Sequence, residues 1–262
     1  MPAWLSHLVD LSAGLDQATV VLTVATVLLS GFVRGFVGFG SSLTIVMVLS
    51  MVVGPPSAVA IAGLSGLAPV LQLLPAAVRH GERSFVLPFC VLTFVAAPVG
   101  TWILVVADPT IMKVVISAFV LAMVPMLYLN WRPKGVHRTG FLLTAGAASG
   151  LVQGCAGVGG PPAVAIALAR DATPQTQRAN VIGATTALAL SGLVPLWWHG
   201  VFTTNVIVMS LLAAPFYAVG SWSGSLAFGR YGSQYFRDAA LLALVIVGLV
   251  TLAIAVGDLV QG

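Results

Sequence analysis

The sequence predicts an all-α polytopic membrane protein made of two inverted repeats of five helical elements, each repeat opening with a broken-helix hairpin. Three observations lead there. The first is composition: 59% of the 262 residues are hydrophobic, 7% are charged and the mean hydropathy is +1.06. Apolar runs of about 20 residues recur along the chain, the length that crosses a bilayer, and no stretch reads as a soluble domain. The second is a duplicated motif. Residues 30–40 read SGFVRGFVGFG and residues 149–159 read SGLVQGCAGVG, so S-G-x-V-x-G-x-x-G-x-G recurs at a spacing of 119. The third is the distribution of Lys and Arg, which fixes how the segments cross.

In chain order, the first half offers segments from about Gln17 to Phe39, Ser41 to Val53, Pro55 to Val78, Phe85 to Val106 and Thr110 to Tyr128. Glycines end the first, since each weakens a helix by about 1 kcal/mol relative to alanine. The second is too short to span. The third begins at Pro55. The polar stretches RHGERS and ADPT bound the fourth, and the linker NWRPKGVHR ends the half. The second half repeats the plan from Thr139 to Val158, Pro161 to Ala169, Pro174 to Trp198, Thr203 to Phe228 and Tyr235 to Val256. His80-Gly81 matches His199-Gly200 at the same spacing of 119, and Val99-Gly100-Thr101-Trp102 matches Val219-Gly220-Ser221-Trp222 at 120. The whole chain, 1–262, is thus read as one transmembrane domain: repeat one about 17–130, linker 131–138, repeat two about 139–257.

Cytoplasmic loops carry an excess of Lys and Arg. Arg79 with Arg83, then Arg132, Lys134 and Arg138, then Arg170 with Arg178, then Arg230 with Arg237 fall in four expected loops. All four share one side if each opening hairpin returns to its own side, which leaves three crossings per repeat. An odd number inverts the second repeat and puts both termini outside, with Lys113 outside and Arg34 inside the membrane. The N-terminus lacks the basic region and cleavage site of a signal peptide, so the first span is expected to stay.

Inverted repeats with broken helices bind their substrates where the breaks meet. Here the tip Gly38-Phe39-Gly40-Ser41-Ser42 would face the tip Gly157-Val158-Gly159-Gly160-Pro161-Pro162. Each short helix starts at a tip, and a helix N-terminus presents unpaired N–H groups and partial positive charge. Two such ends converging with Arg34 make a dehydrated site for a small oxyanion. The candidate binding residues are Arg34, Gly38, Gly40, Ser41, Ser42, Gln153, Gly157, Gly159, Gly160, Asn180 and Thr185, with Thr186 beside them.

Plainer roles compete at several positions. Gly31 with Gly35 and Gly150 with Gly154 have the spacing of close helix packing and are left out of the site. Arg34 could snorkel to an interface, and Gln153 could merely bridge helices. His80 and His199 read as interfacial anchors rather than proton carriers, and Trp197 with Trp198 as an interfacial belt. The glycine runs lack the strand and the Gly-Lys-Ser of a nucleotide loop. All seven carboxylates fall in loops or at segment ends, with no paired acids and no metal-ligand cluster. Cys90 and Cys155 lie in apolar runs and behave as small hydrophobes. No catalytic residue, metal or cofactor is expected. The expected partners are a small anion and the lipid bilayer and not nucleic acid, with a homodimer left open. The competing classes are a membrane enzyme acting on a sulfur compound or lipid, and a non-transporting membrane subunit.

The paired glycine motifs, the segment VIGATTALALSGLVPLWWHGVF and the chain length resemble the sulfite exporter TauE/SafE family, over nearly the whole chain. The tips differ from the fuller Gly-Gly-Gly run of many members, reading Gly40-Ser41-Ser42 and Gly159-Gly160-Pro161. The resemblance implies export of sulfite, or of an organosulfonate such as sulfoacetate, across the inner (plasma) membrane of a bacterium.

Overall fold

A bilayer leaves no water to satisfy backbone N–H and C=O groups, so an apolar chain of this composition satisfies them internally as helix. The computed structural model describes residues 17–108 and 135–261, and within them it has ten helices and no strand. These are α1 (Gln17–Val37), α2 (Ser41–Val53), α3 (Pro55–Ser65), α4 (Leu67–His80), α5 (Arg83–Val106), α6 (Thr139–Ala156), α7 (Gly160–Leu168), α8 (Pro174–Ser191), α9 (Leu193–Trp198) and α10 (Thr204–Gln261). The element expected from Thr110 to Tyr128 lies outside the described residues. Among the described residues four helices are long and apolar enough to cross a membrane, with a fifth if α3 and α4 count as one bent span.

Two expectations are corrected. The third element of the first half is divided into α3 and α4 at Gly66, while that of the second half keeps its expected span with a helix boundary at Gly192, between α8 and α9. Each boundary follows the same hexapeptide pattern, Leu64-Ser65-Gly66-Leu67-Ala68-Pro69 and Leu190-Ser191-Gly192-Leu193-Val194-Pro195. Pro69 and Pro195 have no N–H to give the carbonyls of Ser65 and Ser191, and the preceding glycine lets the chain turn. The pattern recurs at a spacing of 126 rather than 119, which moves the break about two turns later in the second half. The α3–α4 pair bends by 50°, while Pro174–Trp198 serves as one 25-residue span. In addition, the two segments expected from Thr203 to Phe228 and from Tyr235 to Val256 form a single 58-residue helix, α10. The polar stretch between them contains Gly229 and Gly232 but no proline, so the hydrogen-bond ladder is weakened there and never interrupted. Within α10, Thr204–Tyr231 has the length and hydropathy of a span.

The two most extensive helix pairings are α1 with α10 and α5 with α6, so the first helix of each half lies along the fourth element of the other. Lipid offers apolar side chains as good a home as protein does, so such pairs rely on small residues that let backbones touch. A Cβ added at Gly31 would sit 2.8 Å from the Tyr217 carbonyl oxygen, and one at Gly35 2.0 Å from that of Ser221. The GxxxG spacings are therefore packing seams.

The two seams have the same contact geometry. A Cβ at Gly224 would meet the Phe32 oxygen at 2.1 Å and the Phe36 nitrogen at 2.8 Å, and one at Gly100 would meet the Leu151 oxygen and the Cys155 nitrogen, the repeat mates of Phe32 and Phe36, at the same two distances. By contact the first helices thus correspond at a spacing of 119 and their partners at 124, about one turn more than the 120 at which the Val-Gly-x-Trp motif recurs.

The apolar cores interlock the halves. Val37 and Phe39, beside the first break, are buried with Ala163, Val164 and Val181 of α7 and α8. Ala156 and Val158, beside the second, are buried with Ile45, Val46 and Val59 of α2 and α3. Each tip is thus seated in the other half.

Candidate functional site

Both breaks use the same local device. The Gly38 N–H donates to the Arg34 carbonyl at 2.7 Å, and the Gly157 N–H to the Gln153 carbonyl at 2.8 Å. Gly38 has φ 95° and Gly157 φ 69°, values that glycine adopts freely and side-chain-bearing residues resist. There is also no room for a Cβ at Gly38, which would lie 2.9 Å from Ile182. The Thr185 hydroxyl donates to the Gly38 carbonyl at 3.0 Å, fastening the first tip to α8.

Between the tips is a cavity of about 20 Å³ lined by Arg34, Phe39, Gly40, Ser42, Leu43, Gln153, Gly157, Val158, Gly160, Pro161, Thr185, Leu188 and Ala189. That is room for about one water molecule. Arg34 is 3% exposed and its Nε has no hydrogen-bond partner among the described residues. An unpaired buried guanidinium N–H is expensive, and an oxygen acceptor in the cavity, a water or an oxyanion, would satisfy it.

The second polar wall is Gln153. Its Oε1 accepts from the Gly159 N–H at 3.0 Å, which fixes the amide orientation, because only the oxygen can accept. The Nε2 group is left with two donors for the cavity. Ser42 adds a hydroxyl at the start of α2. The start of α7 is poorer in donors than expected, because Pro161 and Pro162 have no N–H.

Seven of the eleven expected binding residues line this cavity: Arg34, Gly40, Ser42, Gln153, Gly157, Gly160 and Thr185. Four do not. Gly38 faces Val181 and Ile182, and Gly159 is packed on the Ser149 carbonyl. The Ser41 hydroxyl accepts from the phenol of Tyr217 on α10. Asn180 has both ends of its amide on Glu82: Oδ1 accepts from the Glu82 N–H at 2.7 Å and Nδ2 donates to its carboxylate at 3.3 Å. Thr186 lies in a different place, an apolar groove of about 410 Å³ between α4, α5 and α8 that is also lined by Leu74, Val86 and Phe94. That groove is roomier and mostly apolar, with Arg83 and Thr186 among the few polar side chains that line it.

Three residues that line the cavity, Leu43, Leu188 and Ala189, were missed in the sequence. Leu188 and Ala189 follow Thr185 at i+3 and i+4, a spacing that shares a helix face and could have flagged them. Arg170 lies in the loop between α7 and α8 and Arg178 in the first turns of α8, and both are buried, at 7% and 6% exposure. Arg178 sits in α8, with Nη2 on the Gly35 carbonyl at 2.6 Å, Nε on that of Phe36 at 3.2 Å, and its guanidinium 4.0 Å from the ring of Phe228. Arg170 pairs with Glu82 at 2.6 Å and donates to the Val136 carbonyl at 2.7 Å. His80, His199, Trp197 and Trp198 are exposed at helix ends.

The family model described as Sulfite exporter TauE/SafE matches residues 23–251. No curated protein and no solved structure matches the chain.

Proposed function

The chain belongs to the sulfite exporter TauE/SafE family of membrane transporters, and from that premise we propose that it exports a small sulfur-containing oxyanion, sulfite or an organosulfonate such as sulfoacetate, through the cavity between the two tips. Arg34 carries the reading: it is a buried cation with an unpartnered Nε, in a cavity that also holds the amide donors of Gln153, the Ser42 hydroxyl and the start of α2. A carboxylate-free lining suits an acceptor-only ligand. Charge-assisted bonds from Arg34 and Gln153 would replace the hydration that the anion gives up. Phe39, Leu43, Val158 and Leu188 supply an apolar wall against which a carbon-bearing sulfonate could rest.

In this reading the two halves are inverted repeats, the tips lie near the middle of a bacterial inner membrane and both termini are outside. The pairing of each half's first helix with the other half's fourth element supports it, as does the skew of Lys and Arg. Cysteine-accessibility labelling tests the topology: residues 171–177 should label from the cytoplasm and both termini from the opposite side, and a cytoplasmic C-terminus would rule out the inversion.

Flux decides function. Purified protein in liposomes should carry radiolabelled sulfite or sulfoacetate, and Arg34→Gln should lose most of that flux, since a neutral amide cannot replace the charge. Arg34→Lys should keep part of it while losing two-point recognition. Wild-type rates in Arg34→Gln would mean that the arginine plays no part in binding.

A further inference from the structure

Two buried arginines meet the last turn of α1, and the cavity uses only one of them. Arg34 lines it, while the hydrogen bonds of Arg178 go to the Gly35 and Phe36 carbonyls and, at 3.3 Å, to the Ser225 hydroxyl. All of those acceptors are neutral. The one ion pair found among the described residues is Glu82–Arg170, so no carboxylate there balances Arg178.

The last carbonyls of a helix have no intrahelical partner and form the negative end of its dipole. Helix α1 ends beside the candidate anion site, so the Gly35 and Phe36 oxygens would set negative potential next to an incoming anion. Arg178 covers both of them. At the end of α6 the position equivalent to Arg178 is Val59, and among the described residues no cation was found to donate to the carbonyls there. The first tip is therefore the one whose helix end carries a fixed positive cover.

We propose that Arg178 is a positioning residue for anion binding: it masks the carbonyl end of α1 and holds that end to α8 and α10, so that the anion meets the field of Arg34 without an opposing one. This rests on the reading of the cavity as the anion site. The role is electrostatic as well as mechanical, and the two parts separate by ligand charge. A loosened tip weakens all anions alike, whereas an uncovered helix end repels a dianion more than a monoanion.

Equilibrium binding of sulfate and of methanesulfonate to the purified full-length protein tests this. Arg178→Gln should weaken methanesulfonate by about tenfold and sulfate by about a hundredfold, the scale of one unit charge acting through the protein interior on one and on two. Arg178→Lys should keep the wild-type ratio of the two affinities. Equal weakening of both probes in Arg178→Gln, or none, would overturn the proposal. Should that variant not fold, loss of the wild-type ratio in Arg178→Lys overturns it and retention supports it. Arg34→Gln is measured alongside. Undiminished binding there, or no binding of either probe to the wild type, overturns the site itself and the role of Arg178 with it. Lost binding there with an unchanged ratio in Arg178→Gln overturns only the role of Arg178.

Discussion

The phenol of Tyr217, within α10, donates a hydrogen bond to the hydroxyl of Ser41, the first residue of α2, and both side chains are fully buried. A helix from the second half thereby holds the start of a short helix from the first. Tyr217→Phe removes the donor and strands the Ser41 hydroxyl away from water, which should lower stability by about 1–3 kcal/mol. Transport should fall further than thermal stability explains, because the first tip loses a fixed anchor. Flux per folded molecule, normalised by size-exclusion yield, is the measurement; unchanged turnover would reduce the pair to packing.

Gln153 has two jobs, bracing the turn at Gly159 and offering donors to the cavity, and substitutions divide them. Gln153→Glu keeps an oxygen for the Gly159 N–H and adds a negative charge to the cavity wall. Anion affinity should drop by more than about tenfold, from like-charge repulsion at short range. Gln153→Leu removes both roles without adding charge and should bind anion better than Gln153→Glu. The reverse order, measured by sulfite binding, would mean that only the brace matters.

The buried charged side chains among the described residues are Arg34, Arg170 and Arg178, with no carboxylate or histidine among them. Coupled carriers commonly use such a group at membrane depth to take a proton or sodium. Anion export from a negative-inside cell is already favoured by about 2.3 kcal/mol per charge per 100 mV, roughly a fifty-fold gradient. An imposed potential should accelerate flux in liposomes, and a pH gradient at zero potential should not; flux that follows the pH gradient would require a proton-coupled route.

Glu82 closes a polar knot joining the start of α5 to Arg170 and, through Asn180, to α8. Its side chain is 30% exposed and that of Arg170 8%, so the pair falls between surface and interior. Glu82→Gln should cost about 1–3 kcal/mol, between the limits for exposed and buried pairs, read as a lower melting temperature. Asn180→Leu should also destabilise without altering anion affinity, since Asn180 faces Glu82 and not the cavity.

Much of the site was legible because its residues contradict their surroundings: an arginine in an apolar run, glycines where a helix should continue, a glutamine at the repeat position of Arg34. The residues that escaped look ordinary in sequence. Tyr217 is one aromatic in a hydrophobic segment, and nothing in its spacing points to Ser41, 176 positions away. Arg178 follows the polar run Asp171–Gln177 and so reads as a loop cation, although its helix carries it into the protein. The paired Leu-Ser-Gly-Leu breaks were hidden by their own displacement, because a comparison held to one spacing passes over a motif that has moved by two turns. The continuity of α10 was hidden by polarity, which marks where a segment leaves an apolar environment and says little about whether the backbone turns.

The seams allow a separate test. Gly224→Leu places a side chain where the Phe32 carbonyl leaves no room and should destabilise by about 1–3 kcal/mol or more. Gly100→Leu, whose added Cβ would meet the Leu151 carbonyl at the same 2.1 Å, should cost as much, read as a lower melting temperature; a variant of either glycine as stable as the wild type would show that its seam is not closely packed.

The seams keep one contact geometry although the sequences that build them have slid past each other by about a turn: the first helices correspond at a spacing of 119, and their partners at 124 by contact but at 120 by the Val-Gly-x-Trp motif. What the crossing helices recognise is a glycine at the point of closest approach and not the residues that flank it. A chain built this way can lengthen one segment of a repeat by a turn and keep the pairing, which leaves the flanking residues free to diverge between the halves.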